Sequence, residues 1–224
     1  MVASPRYRLP SILIFLSSVF YSATAVTDLP GQQRISAFAK EGMAGWEEKS
    51  FKGNTIYRVM MLNGEHTLQA DSRSSASGMY KKVSIDLKKT PYLNWRWRIE
   101  KRIKPGDETT RAGDDYAARV YVVVDEGLLF WKSRALSYVW ASQQDKGAIW
   151  NNAYAGKSVK MLALKSVTDS TAQWYTEKRN VYADLKKVFG NEITRIDVLA
   201  LMTDTDDSES RALSYYADIY FSAD

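Results

Sequence analysis

Residues 92–101 alternate without a break. Leu93, Trp95, Trp97 and Ile99 fall at every second position, with Asn94, Arg96, Arg98 and Glu100 between them. A period of two marks an extended strand with one face in a core, and a helix cannot gather that set on one side. The pattern recurs. Val120, Val122 and Val124 alternate with Arg119, Tyr121 and Val123; Leu213, Tyr215, Ala217, Ile219 and Phe221 alternate with Ser214, Tyr216, Asp218 and Tyr220. Asn63-Gly64 is a two-residue hairpin signal between strands expected at 55–62 and 65–71. Further strands are expected at 80–87, 92–101, 116–125, 136–142, 159–166, 195–203 and 213–222.

One segment departs from this period. Val181, Leu185 and Val188 recur at helical spacing, with Tyr182 and Phe189 beside them. Asn180 can cap the start, Lys186-Lys187 suit the negative end, and Gly190 can stop the helix. Many short strands with one short helix predict a mainly β fold, a two-layer antiparallel β-sandwich of jelly-roll type, with a closed barrel as the alternative.

Such a core needs large side chains, because the chain has no Cys and therefore no disulfide to staple it. The 14 Tyr, 7 Trp and 7 Phe supply them. The first residues read as a secretory signal peptide. Arg6 and Arg8 precede an apolar stretch over 11–21, and Ala23-Thr24-Ala25 offers small residues for cleavage. The expected organisation is a signal peptide over 1–25 and one β-sandwich domain over 26–224, periplasmic or secreted. No later stretch is long and apolar enough for a membrane helix. The formal charge of +5 is mild and its cations form no long block, which gives no argument for nucleic acid.

Three groups carry candidate chemistry. The polar faces hold Arg96, Arg98, Arg119, Tyr121, Tyr216 and Asp218, with Tyr138 and Trp140 on one face of their own strand. Brought together, aromatic rings would stack on a pyranose while Arg and Asp bond its hydroxyls, and the same arginines would hold carboxylates or phosphates. Arg and Asp that merely pair across strands give the same pattern. The second group is the acidic run 203–209. Asp204, Asp206 and Asp207, with help from Asp218, are candidate Ca²⁺ ligands, although the run lacks the glycine and spacing of an EF-hand and would also serve as a solvated turn. The third is Asp114-Asp115, which point apart on an extended chain and cannot form a facing catalytic pair alone. His66 is the single histidine and no G-x-S-x-G, H-E-x-x-H, P-loop or dinucleotide motif is present, which argues against histidine-dependent hydrolysis.

Several strings occur in order: Leu93-Asn94-Trp95-Arg96-Trp97-Arg98, Gly113-Asp114-Asp115-Tyr116, Tyr138-Val139-Trp140, Val188-Phe189-Gly190, Met202-Thr203-Asp204-Thr205-Asp206 and Tyr215-Tyr216-Ala217-Asp218-Ile219. Together they resemble the bacterial family called domain of unknown function 3047, over about 37–222. The resemblance implies an exported β-sandwich shaped like a carbohydrate-binding module, and no established activity. The leading expectation is a domain that binds a carbohydrate or sugar acid. The alternatives are an enzyme acting on envelope or extracellular polysaccharide through Asp/Glu pairs, and a protein-interaction module with no small ligand.

Overall fold

Trp95 and Trp97 are 1% and 0% exposed, and their strand is one in from the edge of one wall of the molecule. The computed structural model describes residues 30–124 and 133–224. The expected signal peptide and Asp125 lie outside the described residues. The strands are β1 (Gln32–Arg34), β2 (Glu47–Lys52), β3 (Ile56–Leu62), β4 (Glu65–Arg73) and β5 (Ala76–Asp86). Then follow β6 (Tyr92–Ile99), β7 (Arg119–Val124), β8 (Arg134–Trp140), β9 (Ile149–Asn152) and β10 (Gly156–Lys165). The last are β11 (Tyr175–Asn180), β12 (Arg195–Asp204) and β13 (Arg211–Ser222). Helix α1 (Phe38–Glu41) is one turn long, and α2 (Val181–Phe189) is the helix read from the sequence.

The strands form two sheets packed as a sandwich. The six-stranded sheet runs β11-β6-β13-β4-β3, with β1 on the far end of β13; the seven-stranded sheet runs β2-β5-β12-β7-β8-β10-β9. Aromatic rings join the sheets across the middle. Trp95 meets Tyr138 at 5.4 Å and Trp97 meets Trp140 at 6.0 Å between ring centres. The mainly β sandwich expected from the sequence is therefore the fold. Two details differ from the expectation. The β8–β10 pair is parallel, because β10 inserts between β8 and the antiparallel β9 that precedes it. A second, one-turn helix lies at Phe38, whose ring is buried against the core.

The caps of α2 follow its sequence. Asn180 accepts from the Ala183 N–H, and Gly190 takes the left-handed conformation with its N–H on the Lys186 carbonyl. No described helix is long and apolar enough to cross a membrane.

Candidate functional site

The expected cluster of arginines and aromatics divides among three places. Arg96, Arg98 and Asp218 stand on the outer face of the six-stranded sheet. Arg119 and Tyr121 belong to β7 in the other sheet and cannot share that face. Tyr138, Trp140 and Tyr216 are 0%, 2% and 0% exposed in the core between the sheets. Their placement on a ligand face is thereby corrected. Strand β8 is buried on both sides, with Leu136, Tyr138 and Trp140 inward and Val139 covered by Tyr116 in a smaller apolar cluster. Parity therefore does not say which of its sides is the core. The Tyr138 hydroxyl donates to Asp184 at 2.9 Å, and Arg179 grips the same carboxylate. The Tyr216 hydroxyl donates to the Met202 carbonyl and accepts from the Arg119 N–H. Both are structural hydrogen bonds.

Tyr216 turns inward because β13 carries a bulge. Ala217 pairs with Arg96 and Tyr220 with Asn94, so one extra residue sits in β13, and Asp218 takes φ +50°. The bulge reverses the face. Ala212, Ser214 and Tyr216 point inward before it, and Ile219 and Phe221 after it. Tyr215, expected in the core, lies on the outer face.

That outer face carries a transverse band of planar groups. The register places Arg98, Tyr215, Gln69 and Arg58 side by side on β6, β13, β4 and β3. Arg58 Nε donates to Gln69 Oε1 at 2.6 Å, and Gln69 Nε2 donates to the Tyr215 hydroxyl at 3.0 Å. Trp174, just before β11, sits 6.5 Å from the Tyr215 ring, and the Arg96 guanidinium lies 5.1 Å from the Trp174 ring centre. Arg96 also holds Asp218 at 2.5 Å and Glu65 at 2.6 Å. Beside the band is an open cleft of about 530 Å³ with Leu62 and Leu213 as apolar lining and Arg98, Glu100, Lys101, Arg211 and Tyr215 around them. Asp71 is held by Arg211 and Arg73, and the hydrogen bonds from Arg211 chiefly keep its carboxyl below the usual range.

Arg119, the first residue of β7 in the middle of the other sheet, centres a buried network. It pairs with Asp204 and lies 3.8 Å from Asp114, with the Tyr116 ring centre 4.6 Å from its guanidinium. Burial alone would lower its pKa, but Tyr121, Asp114, Tyr116 and Asp115 more than reverse this, so it stays a cation. Asn152 donates to both oxygens of Asp114 at 3.0 and 2.9 Å. Gly113 precedes this carboxylate because a Cβ there would collide with the Asp107 backbone.

Of the expected Ca²⁺ ligands, Asp204 and Asp206 come together with Asp115, their oxygens within 4.8 Å of one another. Asp207 instead accepts from the Tyr154 hydroxyl at 2.8 Å, and Asp218 is held by Arg96 on the other sheet, which corrects its expected part in that site. Three carboxylates suit a hard cation such as Ca²⁺. Here Arg119 already answers Asp204, and the N–H groups of Asp207 and Ser208 answer Asp115. Asp206 is the member answered most weakly, by the exposed Lys52 at 3.9 Å: burial, then Asp207 and Asp115, push its carboxyl up.

Sequence reasoning missed Trp174, Tyr215, Gln69, Arg58, Lys101 and Arg211. Tyr215 was legible only with the bulge in hand. Trp174 leads into β11, a charged edge strand without hydrophobic alternation.

Among solved structures, the fold is similar to the family 11 carbohydrate-binding module from Clostridium thermocellum in complex with a β-1,3-1,4-mixed-linked tetrasaccharide. That likeness has 9% identity and a TM-score of 0.48, over 86% of this chain and 96% of that one. The family 30 carbohydrate-binding module of a Clostridium thermocellum cellulosomal cellulase gives 13% and 0.44, over 80% and 92%. Endoglucanase Cel12A from Rhodothermus marinus gives 8% and 0.44, over 78% and 94%. No curated protein sequence matches the chain. A family model, by contrast, matches residues 44–220, which span β2 to β12 whole, β13 as far as Tyr220, and both polar networks described above. The chain belongs to the family described as protein of unknown function (DUF3047).

Proposed function

We propose that the protein is an exported carbohydrate-binding protein and that its ligand lies along the outer face of the six-stranded sheet. The observation that carries this reading is the band Trp174, Arg98, Tyr215, Gln69 and Arg58, set in register across neighbouring strands. The half-buried Trp174 ring offers a surface to the C–H face of a pyranose, and the Arg58 and Arg98 guanidinium groups bond its hydroxyls. Tyr215 and Gln69, each 5% exposed, support them from below. The hydrogen bonds from Arg58 to Gln69 to Tyr215 hold these groups in place before a ligand arrives, which lowers the entropy lost on binding.

The same face argues for binding rather than cleavage. A glycosidase needs one carboxyl kept protonated near neutral pH. Glu65 and Asp218 are paired with Arg96, Glu100 with Arg98, and Asp71 with Arg211. These carboxylates anchor guanidinium groups.

A glycan array probed with the protein lacking residues 1–25 tests the reading. Binding of at least one oligosaccharide class is expected, weakened about tenfold or more by Trp174→Ala, the loss of one stacking contact worth over 1.4 kcal/mol. An array without any bound glycan, or equal binding by Trp174→Ala, would overturn it. Export is tested separately by intact mass of the expressed protein, where retention of residues 1–25 would overturn the cleavage expected between Ala25 and Val26.

A further inference from the structure

The cleft beside the band has a charge pattern that a neutral sugar does not need. Arg98 binds Glu100 through Nε and Nη2, at 2.8 and 3.3 Å. Arg211 binds Asp71 through the same two nitrogens, at 2.9 Å each. Each arginine is therefore clamped along one edge by a carboxylate of its own. The end-on edge, with Nη1 and the outer proton of Nη2, takes no part in either clamp. Lys101 is exposed, lines the same cleft, and forms no ion pair among the described residues. Arg73 shares Asp71 with Arg211, so Arg98, Lys101 and Arg211 in the cleft and Arg73 beside it are answered by two carboxylates, Glu100 and Asp71.

We infer that this cleft selects a carboxylate-bearing sugar, a hexuronic acid unit, through the end-on edges of Arg98 and Arg211 and the ammonium of Lys101. The inference rests on the carbohydrate reading above and adds the ligand's charge to it. A planar carboxylate matches an end-on guanidinium fork, and pre-clamped arginines need little ordering to meet it. Leu62 and Leu213, with the mostly buried Tyr215, provide an apolar lining suited to the ring that carries the acid. Hydroxyls alone would leave the excess positive charge without a partner.

The test presents oligosaccharides of galacturonic, glucuronic, mannuronic and guluronic acid, each beside its methyl ester, with neutral glucans and galactans alongside. The acid form should bind about tenfold or more tightly than its ester, the effect of one charge-assisted hydrogen bond. The preference should shrink as salt rises. Lys101→Gln and Arg211→Gln should each reduce it; Asp71 keeps Arg73 in the second variant, and Lys101 holds nothing in place, so both should fold. Lys49→Gln, an exposed change on the other sheet, controls for overall charge and should retain the preference. Equal binding of acid and ester would overturn the acid selection and leave the carbohydrate reading standing. An acid preference untouched by both cleft variants would overturn the assignment to this cleft. Failure of every neutral and acidic glycan to bind would overturn both readings.

Discussion

Arg119 is 3% exposed between Asp114 and Asp204, whereas the Arg211 side chain is 48% exposed beside Asp71. The two pairings therefore differ in energy. Breaking a buried pair strands a charge away from water, so Arg119→Ala should lower unfolding stability by about 3–5 kcal/mol. Arg211→Ala should cost no more than about 1 kcal/mol, because water screens the pair and Arg73 remains. Urea midpoints measure both, and equal losses would refute this division of roles. Asp206 gives the opposite sign. Its carboxyl is raised by burial, so its charged form is disfavoured in the folded protein at neutral pH. Asp206→Asn should raise the midpoint at pH 7. In the parent, stability from protonated Asp206 is gained as pH falls through its raised pKa, so the variant's advantage should fade there. A variant less stable than the parent at pH 7 would point to a cation held by Asp115, Asp204 and Asp206.

Strand β13 shows what was legible in the chain and what was not. Its existence, and the inward path of Ile219 and Phe221, follow from alternation. The reversal ahead of them does not, because one extra residue at the bulge changes every face assignment on its far side. Composition disguises this: Leu213 and Tyr215 look like core, and Ser214 and Tyr216 look like surface. The pairs Leu93/Trp95 and Val120/Val122 lie in strands without such a bulge, and their faces read correctly. Strands β2 (EEKSFK) and β11 (YTEKRN) went unseen for another reason: both are edge strands rich in charge, which discourages pairing with other chains and erases the hydrophobic signal. The bulge makes its own prediction. Asp tolerates the left-handed backbone at position 218, while a β-branched residue does not. Asp218→Val should cost about 1–3 kcal/mol and Asp218→Gly much less, although both remove the exposed pair with Arg96. Equal losses in thermal unfolding would assign the effect to that ion pair.

At the scale of the whole molecule, the proposed ligand face and the aromatic core are opposite sides of the same strands. Arg96 and Arg98 project from β6 on one side while Trp95 and Trp97 project from the other. The core side joins the sheets through the Trp97–Trp140 contact, and Trp140 continues to Tyr175 at 5.3 Å and then to Lys165, 4.2 Å from the Tyr175 ring centre. Stability and binding should therefore respond to different substitutions. Trp140→Ala should cost about 3–5 kcal/mol, since it empties a ring-sized volume between the sheets. Trp140→Phe should cost less than about 1.5 kcal/mol, because a ring remains and the indole N–H it removes has no partner among the described residues. A protein that stays folded as Trp140→Phe should bind glycans as the parent does. Had Trp140 been a sugar platform, as its place beside Tyr138 in the sequence suggests, Trp140→Ala would keep its melting temperature and lose its ligand. Melting and array binding measured on the same preparations separate the two cases, and retained melting with lost binding would move the ligand from the outer face to the space between the sheets.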